Sequence, residues 1–84
     1  MPKTTQATVT TTASIVVPAQ IGDQSVYLHS SSGTLYIGGA DLTTANGYRL
    51  DNGDKITIMV GDHEALYAIT ASGTANLFVM IQIN

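Results

Sequence analysis

Ser25-Val26-Tyr27-Leu28-His29-Ser30-Ser31-Ser32-Gly33-Thr34-Leu35-Tyr36-Ile37-Gly38-Gly39 decides the reading of this chain. Val26 and Leu28 face one way in an extended segment, and Tyr27 and His29 face the other. Ser30-Ser31-Ser32-Gly33 reads as a turn closing a hairpin onto Leu35-Tyr36-Ile37, with Leu35 and Ile37 inward and Tyr36 outward. Gly38-Gly39 permits a sharp exit. The pattern continues outward from there. Asn46-Gly47 and Asn52-Gly53 are strong turn signals. Lys55 to Val60 follows, with Ile56, Ile58 and Val60 inward and Lys55, Thr57 and Met59 outward. Gly61-Asp62-His63-Glu64 is a polar loop, and Leu66 to Thr70 is the next strand. Short strands bounded by turn residues about every 8–12 positions predict an all-β fold. The expectation is a small antiparallel β-sandwich or barrel, jelly-roll-like, with at most one helical turn, at Asp41 to Ala45 with Asp41 as N-cap.

The 84 residues form one domain. Residues 1–17 read as an extended N-terminal arm or first strand, and residues 18–84 as the β-sandwich domain. Met1 to Gln6 is polar and reads as loose. Thr8 to Val17 is rich in β-branched residues and favours extended structure. Its alternation places Val9, Thr11, Ala13, Ile15 and Val17 on one face, as an edge strand or as an arm pairing with another subunit. Pro18 ends it.

Thr74 to Ile83 is the most informative strand. Leu77, Val79, Ile81 and Ile83 make an aliphatic face; Asn76, Phe78, Met80, Gln82 and Asn84 make the other. Each sheet of a small sandwich has one covered face. Phe78 and Met80 on the uncovered face therefore predict a contact with another subunit. Tyr36 and Met59 are expected to neighbour them in this interface.

Bulk properties narrow the function. A domain this small without cysteine has no disulfide staple, and such chains often rely on oligomerisation. Only 11% of residues are charged, which is lean for a small monomer's surface. Lys3, Arg49 and Lys55 are the only basic side chains in a chain of net charge −3, so a phosphate-neutralising cluster is lacking and nucleic acid is not an expected partner. Apolar runs fall far short of the roughly 18 residues that cross a bilayer as a helix. The N-terminus shows no basic region leading into an apolar core, so no signal peptide is expected.

Catalytic chemistry finds little footing. Neither His29 nor His63 sits in a Gly-x-Ser-x-Gly context. Asp51-Asn52-Gly53-Asp54 resembles half a calcium loop, but the twelfth position is Asp62 where such a loop requires Glu. A hairpin turn explains it better. Asp62, His63 and Glu64 are adjacent, which does not by itself converge ligands on one ion. Gly38-Gly39 lacks the pattern of a phosphate-binding loop. The expectation is a protein that is not an enzyme and carries no cofactor or metal.

Val26-Tyr27-Leu28, Leu35-Tyr36-Ile37-Gly38-Gly39, Asp41-Leu42-Thr43, Asn46-Gly47-Tyr48-Arg49-Leu50, a Gly-Asp turn and Leu66-Tyr67-Ala68-Ile69 together resemble small all-β structural proteins of tailed bacteriophages. The resemblance covers about the middle half of the chain. It implies a virion protein assembled in the bacterial cytoplasm: a capsid decoration, or cement, protein that stabilises the head by bridging shell subunits. Its partners would be the major capsid protein and copies of itself, as a homotrimer, with no nucleic acid and no membrane. The arm would be the shell contact, through Lys3, Thr4, Thr5, Thr8, Thr10 and Thr12. The alternative is a tail-fibre or baseplate module binding a host surface glycan through exposed tyrosines and the acidic loop Asp62 to Glu64.

Overall fold

The computed structural model describes residues 2–83, and the side chains of residues 4–82. Eight strands follow one another: β1 (Pro2–Val9), β2 (Ser14–Val17), β3 (Gln24–Ser32), β4 (Leu35–Gly38), β5 (Tyr48–Leu50), β6 (Lys55–Val60), β7 (Leu66–Ile69) and β8 (Ala75–Ile83). Their pairing is nested and antiparallel throughout: β1 with β8, β2 with β7, β3 with β6, and β4 with β5. β8 also pairs with β3, and β7 with β4. The chain is thus one long antiparallel ribbon with the β4–β5 connection at its tip, rolled into two sheets. The first sheet runs β1-β8-β3-β6 and the second β2-β7-β4-β5. This is the small antiparallel sandwich expected, wound as a double-sheet jelly roll.

Period-two alternation fills the space between the sheets. Val26 and Leu28 of β3 and Leu77, Val79 and Ile81 of β8 point inward from the first sheet; Leu35, Ile37, Leu50, Leu66 and Ala68 meet them from the second. Ile56 and Ile58 pack against this cluster from edge strand β6, half-buried. The expected inward Ile83 and outward Asn84 side chains lie outside the described residues.

Several local expectations are corrected. Met1 to Gln6 was expected to be loose, yet Pro2–Val9 pairs with β8 along its whole length, from Pro2 opposite Gln82 to Val9 opposite Ala75. The single strand over 8–17 is two strands in different sheets, separated by a turn at 11–12. A bulge between Ile15 and Val17 then shifts the register of β2, so Val16 and Val17 are both buried while Ile15 is exposed. Ser30 to Gly33 does not close a hairpin: β3 and β4 belong to opposite sheets. Asn52-Gly53 likewise crosses between sheets. The one helical turn lies later than expected and forms no helix. Gly47 N donates to Thr43 O at 3.0 Å, and Ala45 N donates to Thr43 Oγ1 at 3.3 Å, so Thr43 rather than Asp41 acts as the cap.

Two buried hydroxyls pin one end of the roll. Ser30 Oγ donates to Gly33 O, and its backbone N–H and C=O hold Asp54 O and Gly53 N. Gly53 has φ +88°, the left-handed region glycine enters without a Cβ penalty. Thr70 Oγ1 donates to Thr34 O at 2.9 Å, and Thr70 N donates to Thr10 O.

The 39–47 connection covers the part of the second sheet's outer face over β4. Leu42 is buried yet stands apart from the main core. It lies over Gly38, where a Cβ would sit 3.0 Å from Leu42 Cδ1. A Cβ on Gly47 would come within 2.6 Å of Tyr36 Cβ and 2.7 Å of Leu42 Cδ1. Gly47→Ala is therefore expected to destabilise the fold by about 1–3 kcal/mol through overpacking. The check is urea unfolding, with the midpoint lowered and the slope unchanged.

Removing residues 2–9 would strip β8 of one neighbour and uncover its edge. The expected outcome is a chain that melts many degrees lower or aggregates, as exposed edges do. Thermal melting by circular dichroism tests this; unchanged stability would mean that β1 is a detachable arm.

Candidate functional site

The outer face of the first sheet is built by register. Phe78 stands opposite Gln6 of β1 and His29 of β3, and His29 opposite Lys55 of β6. One row along, Met80 stands opposite Thr4 and Tyr27, and Tyr27 opposite Thr57. Beyond that, Ser25 lies between Gln82 and Met59. The result is an apolar centre on β8 and β3 bordered by Thr4, Gln6 and Thr8 of β1 and by Thr57 and Lys55 of β6, with Met59 at one end of β6. Phe78 is 42% exposed, Met80 37%, Tyr27 38% and Met59 62%, although each is large and apolar or aromatic. The His29 and Phe78 rings lie 6.1 Å apart, tilted by 55°, within the range of favourable aromatic pairs. A shallow groove of about 630 Å³ runs over this face, lined by Thr4, Gln6, Tyr27, His29, Phe78 and Met80 among others.

Charge is segregated around it. All six carboxylates, Asp23, Asp41, Asp51, Asp54, Asp62 and Glu64, lie in connections between strands, whereas Lys3, Arg49 and Lys55 lie on strands. Among the described residues the outer face of the first sheet carries no carboxylate, and Lys55 stands on its edge strand.

Met59, Phe78 and Met80 of the expected subunit interface share this face. Tyr36 does not: it belongs to β4 of the second sheet, opposite Arg49 and Ile69, half-buried beside the 39–47 connection. Tyr27 and His29 join the face instead. Their outward direction was readable from the alternation in β3; their adjacency to Phe78 and Met80 required the register of β3 on β8.

The expected arm residues disperse. Thr4 and Thr8 share the outer face with Gln6, while Thr5 pairs opposite inward-facing Val79. Thr10 and Thr12 make a turn, with Thr12 N donating to Thr10 Oγ1 at 3.3 Å. The Lys3 side chain lies outside the described residues. β1 is paired within its own chain, so it does not stand free as an arm.

The polar candidates are taken up by turns. Asp62 Oδ1 accepts from Gly22 N at 2.6 Å, and Glu64 Oε1 from Gly61 N at 3.0 Å. His63 Nδ1 lies 3.0 Å from Asp62 Oδ2. Asp54 Oδ2 accepts from Asp51 N, and Asp51 Oδ1 accepts from Arg49 Nε at 2.7 Å. That hydrogen bond, and then the carboxylate's charge, hold the Arg49 guanidinium above its ordinary value. Among the described residues no three His, Cys, Asp or Glu side chains converge to hold a metal ion. Of the four tyrosines, Tyr27 lies on the first sheet and Tyr36, Tyr48 and Tyr67 on the second, so they do not form one stacking platform.

No protein-family model matches the chain, and no curated protein matches it. Among solved structures it is similar to a protein from Bacillus endospore appendages, a family of disulfide-linked pili. The likeness has a TM-score of 0.64 at 19% identity, over 100% of this chain and 85% of that one. At that identity it is a likeness of fold.

Adjacent residues on β8 separate core from surface. Leu77 is fully buried; Phe78 is not. Leu77→Asp is expected to unfold the protein by placing an unpaired charge in the core, while Phe78→Asp keeps the β-sheet circular dichroism spectrum and melts within a few degrees of the parent. The reverse pattern would mean that the two faces are exchanged.

Proposed function

We propose that this chain is a small structural protein that works by adhesion within a larger assembly. The observation that carries the reading is the outer face of the first sheet. Phe78, Met80, Tyr27 and Met59 are left open to water in a body with enough inward-facing Val, Leu and Ile to fill its core without them. A contiguous exposed apolar patch on a small domain marks an interaction surface. Burying one such side chain contributes roughly 1.5–3 kcal/mol, and a repeated assembly makes that gain at every copy.

Two settings suit this mechanism. On a phage head, as the sequence resemblance suggests, the protein would bridge shell subunits and add contacts that internal pressure must break. In a fibre, as the likeness to a pilus protein suggests, it would be a repeating subunit. The 84 residues hold no cysteine, so in either setting they form no disulfide with a neighbour. The tail-module alternative would need a glycan site, and its expected tyrosines divide into Tyr27 on the first sheet and Tyr36, Tyr48 and Tyr67 on the second.

Sedimentation of the purified protein over a wide concentration range, with electron microscopy of the particles or fibres that contain it, tests the reading. The expected result is a concentration-dependent mass and repeated positions in a regular assembly. A protein monomeric at all concentrations and absent from any particle would overturn it.

A further inference from the structure

The two sheets treat their outer faces differently. The second is roofed over β4 by its own 39–47 connection, with Leu42 buried over Gly38, while Ile15 on β2 stays exposed. The first has no such roof among the described residues: no connection supplies a buried side chain over Phe78 or Met80. We infer that the outer face of the first sheet is a two-fold contact between two copies of this chain, stacked sheet on sheet. This deepens the adhesive reading and rests on it.

Three observations favour a second copy as the occupant. The first is charge. Copies of a chain with net charge −3 repel, but every carboxylate lies in a connection and none on this face. Face-to-face stacking keeps the acidic groups at the ends of the roll and brings only uncharged surface, His29 and Lys55 together.

The second is self-complementarity. The apolar centre lies on β8 and β3, flanked by Thr4 and Gln6 of β1 on one side and by Thr57 and Lys55 of β6 on the other, with Met59 at one end of β6. A two-fold axis along the strands, midway between β8 and β3, exchanges the two halves of the face. It lays Phe78 over His29 of the second copy, Met80 over Tyr27, and Lys55 over Gln6. Phe78 meets a histidine ring, Met80 a tyrosine ring, and the two copies of Lys55 stay at opposite edges. Such a contact closes on itself as a dimer, whereas a ring of three must join two different patches. The expected trimer therefore gives way to a dimer as the unit formed by this face.

The third is area. Strands about 4.8 Å apart and about 3.3 Å per residue give a face of four such strands roughly 500 Å² in plan. Side-chain relief raises this toward the roughly 800 Å² that each partner of a standard interface buries. That amount is about one sixth of the 4674 Å² surface of this chain.

The absence of cysteine makes the test clean. Tyr27→Cys and Met80→Cys are each treated with a short bifunctional thiol reagent, beside Thr44→Cys in the 39–47 connection as control. Both face variants are expected to give covalent dimers and the control to stay monomeric. Phe78→Asp is expected to weaken the dimer about 30-fold or more, as loss of a central anchor does, with its circular dichroism unchanged. Met80→Lys provides a second variant should Phe78→Asp fold poorly. A trimer or higher oligomer insensitive to both substitutions overturns the face assignment while leaving the adhesive reading intact, because association then uses another surface. A protein that neither self-associates nor enters any particle overturns both.

Discussion

The register of β8 between β1 and β3 is the constraint on which the rest depends. β8 is paired on both sides, and its inward residues Leu77, Val79 and Ile81 are almost fully buried. Because side chains alternate at period two, a slip of one residue would turn Phe78 and Met80 into the core and Leu77 and Val79 into water. The aliphatic row opposes that slip, since it would expose three buried aliphatic side chains to water. Fixing the inner row also fixes the outer one. Gln6, Phe78, His29 and Lys55 share a line only because Leu77 and Val79 are held where they are.

This explains what the sequence made legible in the fold. Strands β3, β6 and β8 have clean alternation, and their described inward and outward residues stand as the pattern predicts. β1 was not legible, because Pro-Lys-Thr-Thr-Gln-Ala-Thr has no apolar period; it is a strand because β8 offers it a ladder. The partners of each strand were not legible either. Ser30 to Gly33 and Asn52-Gly53 carry hairpin chemistry, yet in a rolled ribbon they pass the chain from one sheet to the other. Turn residues report that the chain reverses. They do not report which sheet receives it, and that is settled by contacts between residues far apart in sequence.

The candidate surface divides along the same line. Phe78, Met80 and Met59 could be read as outward from local alternation. Tyr36 could too, but outward from which sheet is a question of topology, and β4 lies in the second. Tyr27 and His29 were readable as outward and not as neighbours of Phe78. Ile15 shows a further limit: the bulge in β2 places two consecutive valines inward, which no strict period anticipates.

The distribution of charge follows the fold. Carboxylates in the connections serve local needs: Asp62, Glu64, Asp54 and Asp51 each accept from a nearby backbone or side-chain donor. The same placement leaves the sheet faces free of negative charge. The chain shares its fold with a disulfide-linked pilus protein and has no cysteine of its own. A single contact of this size need not be tight. When a subunit is held at two or more places, the later contacts become intramolecular and the effective affinity rises by orders of magnitude. An open apolar face of modest size is therefore enough for adhesion in a many-copy assembly, and it spares the free chain a larger patch that would drive aggregation before assembly begins.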